Sequence, residues 1–191
     1  AIAALVFALT ALVWPKTLSV VAAIAAAIVV TGALHEDGWS DMVDGFGGGA
    51  TREKVLAIMR DSALGSFGAV ALMMMLLGRF SVLLEIDSAQ LPLALIAGHA
   101  VSRLCATFVL ARLDYARSEG KAKPFANRLG YGELACATLT GLLPLVFLPL
   151  SPALAGLALA LIATLWLARL FKRRIGGYTG DCLGATQQLA E

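Results

Sequence analysis

The sequence is poor in charged residues and in residues that cross-link chains or bind soft metals. Only 15% of its 191 residues are Asp, Glu, Lys or Arg, against roughly 25% in ordinary soluble domains. It holds two histidines and three cysteines and no C-x-x-C pair, so neither disulfides nor a zinc site is expected. The net charge of +2 is small, and no nucleic-acid partner is expected. These shortages exclude a disulfide-stabilised scaffold and a basic nucleic-acid-binding module.

Apolar residues make up 59% of the chain, which predicts a single all-α, polytopic membrane domain over residues 1–191. Helices are expected because lipid cannot satisfy backbone hydrogen bonds. Six apolar stretches predict about six transmembrane helices, at residues 1–14, 18–34, 63–84, 91–113, 131–148 and 152–171. The first is shorter than the roughly 20 residues that cross a bilayer, and the chain does not start with Met. We therefore expect a clipped chain.

The positions of the basic residues predict one orientation in the membrane. Eleven of the fifteen Lys and Arg residues lie in three polar segments, at 35–62, 112–130 and 172–191. The short turns between the other spans hold only Lys16. Because Lys and Arg are retained on the cytoplasmic side, all three polar segments are expected to face the cytoplasm.

The densest acidic cluster follows the second apolar stretch. Asp37, Asp41 and Asp44 are spaced i, i+4 and i+7, which places them on one face of a helix, where like charges repel. A divalent cation such as Mg²⁺, which prefers oxygen ligands, is the plainest reason to keep them together. The glycines at 45, 47, 48 and 49 would end the helix and let the backbone approach a ligand. A solvated acidic face followed by a flexible loop is the alternative.

Residues 51–62 predict an amphipathic helix with Thr51 as its N-cap. The basic side chains there, among them Lys54 and Arg60, would bind phosphate oxygens beside the acids, or would only mark the cytoplasmic side. Asp61 lies where the chain re-enters the membrane, as a helix N-cap or as a further metal or base carboxylate. Carboxylates, cations and glycines together predict phosphoryl chemistry.

Arg103 lies well inside an apolar span, where a guanidinium costs about 2.5–3.5 kcal/mol. It is expected to face the bundle interior and to pair with an acid or an anionic substrate. His99, one turn earlier, is interpreted as a packed polar residue. Near the end of the chain, Gly176, Gly177 and Gly180 would form a backbone cradle for phosphate or guanine, with a flexible tail as the alternative.

Four separated blocks of residues resemble the cobalamin synthase (adenosylcobinamide-GDP ribazoletransferase) family, over essentially residues 31–191. The first block is Leu34-His35-Glu36-Asp37-Gly38-x-x-Asp41-x-x-Asp44-Gly45-Phe46-Gly47-Gly48. The second is Arg52-Glu53-Lys54-x-Leu56-x-Ile58-Met59-Arg60-Asp61-Ser62-x-x-Gly65-x-x-Gly68. The third is Ser102-Arg103-Leu104 with Gly120-Lys121-Ala122, and the fourth is Gly176-Gly177-Tyr178-Thr179-Gly180-Asp181-Cys182-Leu183-Gly184-Ala185. One departure is Arg60, where the family more often has Lys.

The resemblance implies a multi-pass enzyme of the bacterial inner membrane that requires Mg²⁺. It implies transfer that joins adenosylcobinamide-GDP to α-ribazole, or to α-ribazole 5′-phosphate, with release of GMP in cobalamin (vitamin B12) biosynthesis. A homo-oligomer is left open.

On this basis the candidate residues receive expected roles. Mg²⁺ is assigned to Asp37, Asp41 and Asp44, with Asp61 as a further ligand. Catalysis is assigned to Asp61 and Asp181, as second-metal ligand or general base, and to Lys54 and Arg60, as phosphate-binding cations. Substrate binding is assigned to His35, Arg103, Gly47, Gly48, Gly177 and Gly180.

Two other functions compete with this one. A CDP-alcohol phosphotransferase would share metal-bound pyrophosphate chemistry, but it does not normally carry the His-x-Asp-Gly run or the Gly-Gly-x-Thr-Gly-Asp tail. An ion-coupled transporter would use Arg103, His99 and the acids, but transporter sites lie near the bilayer midplane, whereas these acids fall in a polar segment.

Overall fold

The computed structural model describes residues 1–117 and 129–191. Over these residues the chain forms α-helices and one short 3₁₀ helix, and no strand, which confirms the all-α prediction. The helices are α1 (Ile2–Thr10), α2 (Lys16–Thr31), α3 (Leu34–Gly48), α4 (Arg52–Ile58), α5 (Ser66–Glu85), α6 (Leu91–Arg112), α7 (Tyr131–Leu142), the 3₁₀ helix (Leu143–Phe147), α8 (Leu150–Ile175) and α9 (Gly180–Ala190). Each of the six apolar stretches predicted from the sequence contains a helix.

The predicted count of six membrane spans is not confirmed. Within the described residues, three helices are long and apolar enough to cross a membrane, namely α5, α6 and α8. Helices α2 and α3 together are also long and apolar enough, but they meet at 84°. They supply a fourth span only if this bent pair is counted as one broken helix. Helix α1 has nine residues and α7 has twelve, and at about 1.5 Å per residue neither spans roughly 30 Å of hydrocarbon.

The bend between α2 and α3 has a local cause. Gly32 and Ala33 both adopt left-handed backbone conformations, with φ of 62° and 56°. Gly32 accepts this conformation without strain, and two such residues in succession end α2 and turn the chain sharply. Helix α3 then carries three aspartates, so we treat it as lying outside the membrane-spanning segments.

Near the end of the chain, the eleven residues Gly180–Ala190 form a helix that packs into the bundle, rather than the flexible tail that was the alternative from the sequence. Helix α9 contacts α3, α6 and α8. Thr179 caps it, since its Oγ1 accepts a hydrogen bond from the Cys182 N–H over 3.3 Å. Cys182 and Ala185 are fully buried in the largest apolar cluster, with Phe171 of α8. Small residues make this possible: a Cβ on Gly184 would lie 3.3 Å from the His35 Cα of α3.

Candidate functional site

Acidic residues from two distant parts of the sequence meet where α3 packs against α9. Asp37, Asp41 and Asp44 lie along α3, and Asp181 lies in the first turn of α9. The two helices approach closely at Gly38, where a Cβ would be 2.9 Å from the backbone oxygen of Asp181. This contact places the fourth aspartate beside the three predicted from the helical spacing.

The pKa of Asp41 shows how strongly these acids affect one another. Burial, followed by the negative charges of Asp37, Asp181 and Asp44, raises the pKa of Asp41 to about 7, and Arg117 opposes the rise. Burial also raises the pKa of Asp181, against the lowering effect of Arg117 and of a hydrogen bond from Thr179. The cluster therefore carries more negative charge than its surroundings compensate.

Arg117 is the cation in direct contact with these acids among the described residues, and the sequence interpretation missed it. Its Nη2 donates to Asp181 Oδ2 over 2.9 Å and to the Met59 carbonyl over 3.2 Å. The side chain is only 11% exposed. In the sequence Arg117 is one of several basic residues in the segment 112–130, so nothing local distinguishes it from the residues that mark membrane orientation.

Asp44 has a structural task in addition to its predicted role as a metal ligand. One carboxylate oxygen accepts the Gly65 N–H over 2.7 Å and the other accepts the Gly68 N–H over 2.8 Å. These bonds satisfy donors at the start of α5 that have no partner within the helix. A Cβ on either glycine would overlap the carboxylate. Each oxygen keeps a lone pair, so metal binding by Asp44 stays a prediction.

Asp61 was expected as an N-cap or as a further carboxylate of the site. It is exposed, and its Oδ1 accepts the Ala63 N–H over 3.1 Å within a turn. Gly65, not Asp61, is the N-cap residue of α5. Within the described residues no hydrogen bond or ion pair joins Asp61 to the acids of α3, and its predicted role in catalysis stays a prediction.

The donor set fits a hard divalent cation. Its side chains are carboxylates, which Mg²⁺ prefers to nitrogen or sulfur ligands. In the described part of the chain no three His, Cys, Asp or Glu side chains converge closely enough to surround a metal ion. Mg²⁺ commonly takes one or two carboxylates and completes its shell with waters and substrate phosphates. The residues that could hold it are Asp37 and Asp41, with Asp181 opposite.

Lys54 and Arg60 have exposed side chains, on α4 and just after it. Lys54 belongs to α4, which Thr51 caps as predicted, by accepting the Lys54 N–H over 3.3 Å. Neither side chain makes a hydrogen bond or an ion pair to any other described residue. Both cations are therefore available to an anionic ligand.

Two other arginines near the site bind the backbone instead. Arg52 donates to the carbonyls of Ile175 and Ala116, both over 2.8 Å. Arg174 donates to the Phe46 carbonyl over 2.9 Å and to the Gly49 carbonyl over 2.6 Å. These bonds tie the glycine-rich end of α3 and the segment after α6 to the end of α8.

The candidate glycines have packing partners of their own. A Cβ on Gly47 would lie 2.9 Å from the Phe67 ring, and one on Gly48 would lie 3.3 Å from Ile58 Cδ1. Gly177 has no room for a side chain because the chain crosses Asp114 there, and the Tyr178 N–H donates to the Asp114 carbonyl over 3.0 Å. Gly180 is the first residue of α9. A phosphate cradle at these positions stays a prediction.

Arg103 differs from its expected environment. The residue is exposed, and its Nη1 donates to the His99 carbonyl over 3.0 Å rather than to an acid. Among the described residues, the arginine that lies within an apolar span and pairs with an acid is Arg79 of α5, which contacts Glu191. His99 contacts the same carboxylate. His99 is thus a hydrogen-bonding polar residue, as expected.

His35 is half-buried in the first turn of α3. Burial, and next the charge of Arg103, lower its pKa, which favours a neutral imidazole that can donate and accept hydrogen bonds. Its assignment to substrate binding stays a prediction. The sequence block Gly120-Lys121-Ala122 lies outside the described residues.

Comparison with known proteins gives one consistent family. A family model for cobalamin-5-phosphate synthase matches residues 1–191. The adenosylcobinamide-GDP ribazoletransferase of Ralstonia nicotianae is 47% identical over 176 residues, covering 91% of this chain and 68% of the relative. The protein of the same name from Shewanella amazonensis is 41% identical over 196 residues, covering 100% of this chain and 75% of the relative. No solved structure matches the chain.

Proposed function

Because the chain belongs to the cobalamin-5-phosphate synthase family, we propose that it joins adenosylcobinamide-GDP to α-ribazole or α-ribazole 5′-phosphate and releases GMP. Membership makes it a transferase of cobalamin biosynthesis. The match across the whole chain, with relatives at 41–47% identity named for this reaction, is the observation that carries the proposal. The carboxylates and cations on one face of the bundle are the chemistry that such a reaction needs.

The reaction breaks the phosphoanhydride bond of the pyrophosphate and forms a phosphodiester. A ribose hydroxyl oxygen that is free in both α-ribazole and α-ribazole 5′-phosphate forms a bond to the phosphorus nearer cobinamide. The bond from that phosphorus to the bridging oxygen breaks, and the bridging oxygen leaves with GMP. The hydroxyl proton passes to a base or to water. Little covalent work is left to the protein, so its residues act mainly by positioning the reactants and by stabilising charge.

Asp37 and Asp41 are the residues we expect to hold Mg²⁺ beside the pyrophosphate. When bound, the ion would neutralise negative charge on the phosphate oxygens. Burial and, after it, the charges of three other carboxylates raise the pKa of Asp41, so positive charge is favourable at its position. Asp44, on the same helix, accepts two hydrogen bonds from the start of α5 and so holds α3 in position.

Asp181 approaches the same place from α9 and is the candidate second ligand or general base. A carboxylate that accepts a hydrogen bond from the ribazole hydroxyl would orient its oxygen toward phosphorus. Lys54 and Arg60 expose cations that would bind the phosphate oxygens of the leaving GMP. His35 and Arg103 are the residues proposed to contact more distant parts of the substrates.

The site is proposed to face the cytoplasm, where nucleotide-activated substrates are made. Most Lys and Arg residues of the chain lie in the polar segments on that face, as expected for cytoplasmic loops. In a bacterium with two membranes this assigns the protein to the inner one. A lipid bilayer is then its first partner.

A turnover assay on purified protein tests the proposal. The assay contains adenosylcobinamide-GDP and α-ribazole, with Mg²⁺ or with EDTA, and follows GMP and the corrinoid product. We expect equal amounts of both products, and only with Mg²⁺. Release of CMP from a CDP-alcohol substrate, with no GMP from adenosylcobinamide-GDP, would instead identify a CDP-alcohol phosphotransferase.

A further inference from the structure

Arg117 connects three parts of the fold. It extends from the segment after α6 and reaches the Met59 carbonyl at the end of α4 and Asp181 at the start of α9. The Asp181 oxygen that it contacts, Oδ2, also accepts the Thr179 hydroxyl over 3.3 Å. One carboxylate oxygen of the acidic cluster is therefore already occupied by a cation that belongs to the protein.

The guanidinium still has donors to offer. An arginine side chain carries five N–H groups, and both contacts described above use Nη2. The Nε–H is buried and has no acceptor among the described residues, although a buried N–H without an acceptor is costly. The planar arrangement of these donors matches two oxygens of a phosphate group. Arg117 thus pairs with an acid and at the same time retains donors suited to an anion.

Arg117 alone cannot neutralise the acids beside it. Four aspartates influence one another across the α3–α9 contact, and a single guanidinium supplies one positive charge. A divalent cation supplies two positive charges in a smaller volume, and it attracts the same carboxylate oxygens. The guanidinium and the ion therefore compete for Asp181, while both favour a bound pyrophosphate.

We propose that Arg117 pairs with Asp181 in place of the divalent cation, and that binding of the cation releases its guanidinium to bind the substrate pyrophosphate. Arg117 would keep the acidic cluster folded when the site is empty of substrate, and would add a positive charge at the moment the phosphates arrive. The inference rests on the proposed function, since it assumes that a divalent cation and a pyrophosphate share this site.

The test measures two affinities that the proposal moves in opposite directions. Mn²⁺ binding to the full chain in detergent is followed by electron paramagnetic resonance, first with Mn²⁺ alone and then with inorganic pyrophosphate at saturating Mn²⁺. Arg117→Met is compared with the wild type. Arg112→Met is the matched control, because it removes an equal charge from the end of α6, where Arg112 lies 4.9 Å from the Phe108 ring.

We expect Arg117→Met to bind Mn²⁺ about tenfold more tightly, because the competing cation is gone, and to bind pyrophosphate about tenfold more weakly. Arg112→Met should change neither affinity by more than about twofold. A merely structural role would weaken both. Unchanged or weaker Mn²⁺ binding in Arg117→Met, or unchanged pyrophosphate binding, overturns the proposal.

A second variant covers the case in which Arg117→Met does not fold. Arg117→Lys keeps the charge, but a single ammonium cannot replace the guanidinium at both Met59 and Asp181. We expect changes of about threefold in the same two directions, and wild-type values for both affinities would contradict the proposal. Neither measurement contains a corrinoid or α-ribazole. A protein that shows this exchange but transfers no ribazole would refute the proposed function and leave the role of Arg117 standing.

Discussion

At the scale of single residues, the arginines near the site differ in what their guanidinium groups contact. Arg52 and Arg174 donate to backbone carbonyls. Arg117 pairs with an acid, and the exposed Arg60 makes no side-chain hydrogen bond to a described residue. The sequence groups Arg52 with Arg60 as basic residues of one loop, whereas the contacts separate them into a structural and an available cation.

This difference predicts that two alanine substitutions change different properties, one the stability of the fold and the other the binding of substrate. Arg52→Ala should lower the free energy of unfolding by about 1–3 kcal/mol, because it leaves the Ile175 and Ala116 carbonyls without a donor. Arg60→Ala should leave stability unchanged and raise the KM for adenosylcobinamide-GDP about tenfold or more. Thermal unfolding in detergent and steady-state kinetics measure the two effects. Equal stability losses in both variants would show that Arg60 also serves the fold.

At the scale of elements, the contact between α3 and α5 determines how Asp44 is held. Gly65 and Gly68 let the start of α5 approach α3 closely enough for both their N–H groups to reach the Asp44 carboxylate. In the sequence these glycines stand three residues apart. This spacing does not say which partner they approach, because that partner is 21 to 24 residues away and is determined by the turn between α3 and α5.

Replacement of one glycine by alanine tests this contact. Gly68→Ala should destabilise the protein by about 1–3 kcal/mol, since its Cβ would overlap the Asp44 carboxylate and lie 2.8 Å from the Ser40 carbonyl. Gly78→Ala, in the same helix with nothing within 4 Å of its Cβ, is the control and should be neutral or slightly stabilising. Thermal unfolding compares the two. Equal melting temperatures would mean that α3 and α5 can separate at no cost.

Helix α9 and its inward-facing polar residues could not be predicted from the sequence. The spacing of Asp37, Asp41 and Asp44 was sufficient to predict a helix and an acidic face, since both depend on neighbours in the chain. The sequence predicts a polar final segment, with a glycine cradle for a ligand or a flexible tail as the two interpretations. In the structure Gln188 donates to Glu36 over 2.8 Å, and Glu191 pairs with Arg79 and His99. These partners are far away in sequence, so composition alone could not reveal that the polar residues point inward.

At the scale of the whole molecule, the fold brings the first and the last of the four sequence blocks to one face. Helices α3 and α9 begin 146 residues apart, yet their first turns supply Asp37 and Asp181 to the same cluster. Three of the described helices are long and apolar enough to cross a membrane, and α7 with its 3₁₀ extension forms a shorter apolar stretch, Tyr131–Phe147. The predicted count of about six spans is thus not confirmed, while the polar segments keep their order between the helices.

The orientation of the bundle can be measured directly. In a variant without native cysteines, Lys54→Cys on α4 and Asp87→Cys in the turn before α6 are introduced one at a time. We expect a membrane-impermeant maleimide to label Asp87→Cys in spheroplasts with intact inner membranes, and Lys54→Cys only after the membrane is opened, because basic segments stay in the cytoplasm. The reverse pattern would place the acidic cluster on the outer side.

The proposed function requires that Asp41 on α3 and Asp181 on α9 bind one divalent cation. The most direct test is a double-mutant cycle with Asp41→Asn, Asp181→Asn and the combined variant, in which the Mg²⁺ concentration for half-maximal ribazole transfer is measured. Asp87→Asn, in a turn away from the site, is the control. We expect each single variant to need at least about tenfold more Mg²⁺, and the double variant to lose less than the sum of the two in free energy, because the residues share the ion. Near-normal Mg²⁺ dependence in either single variant, or strictly additive losses, would contradict a shared site.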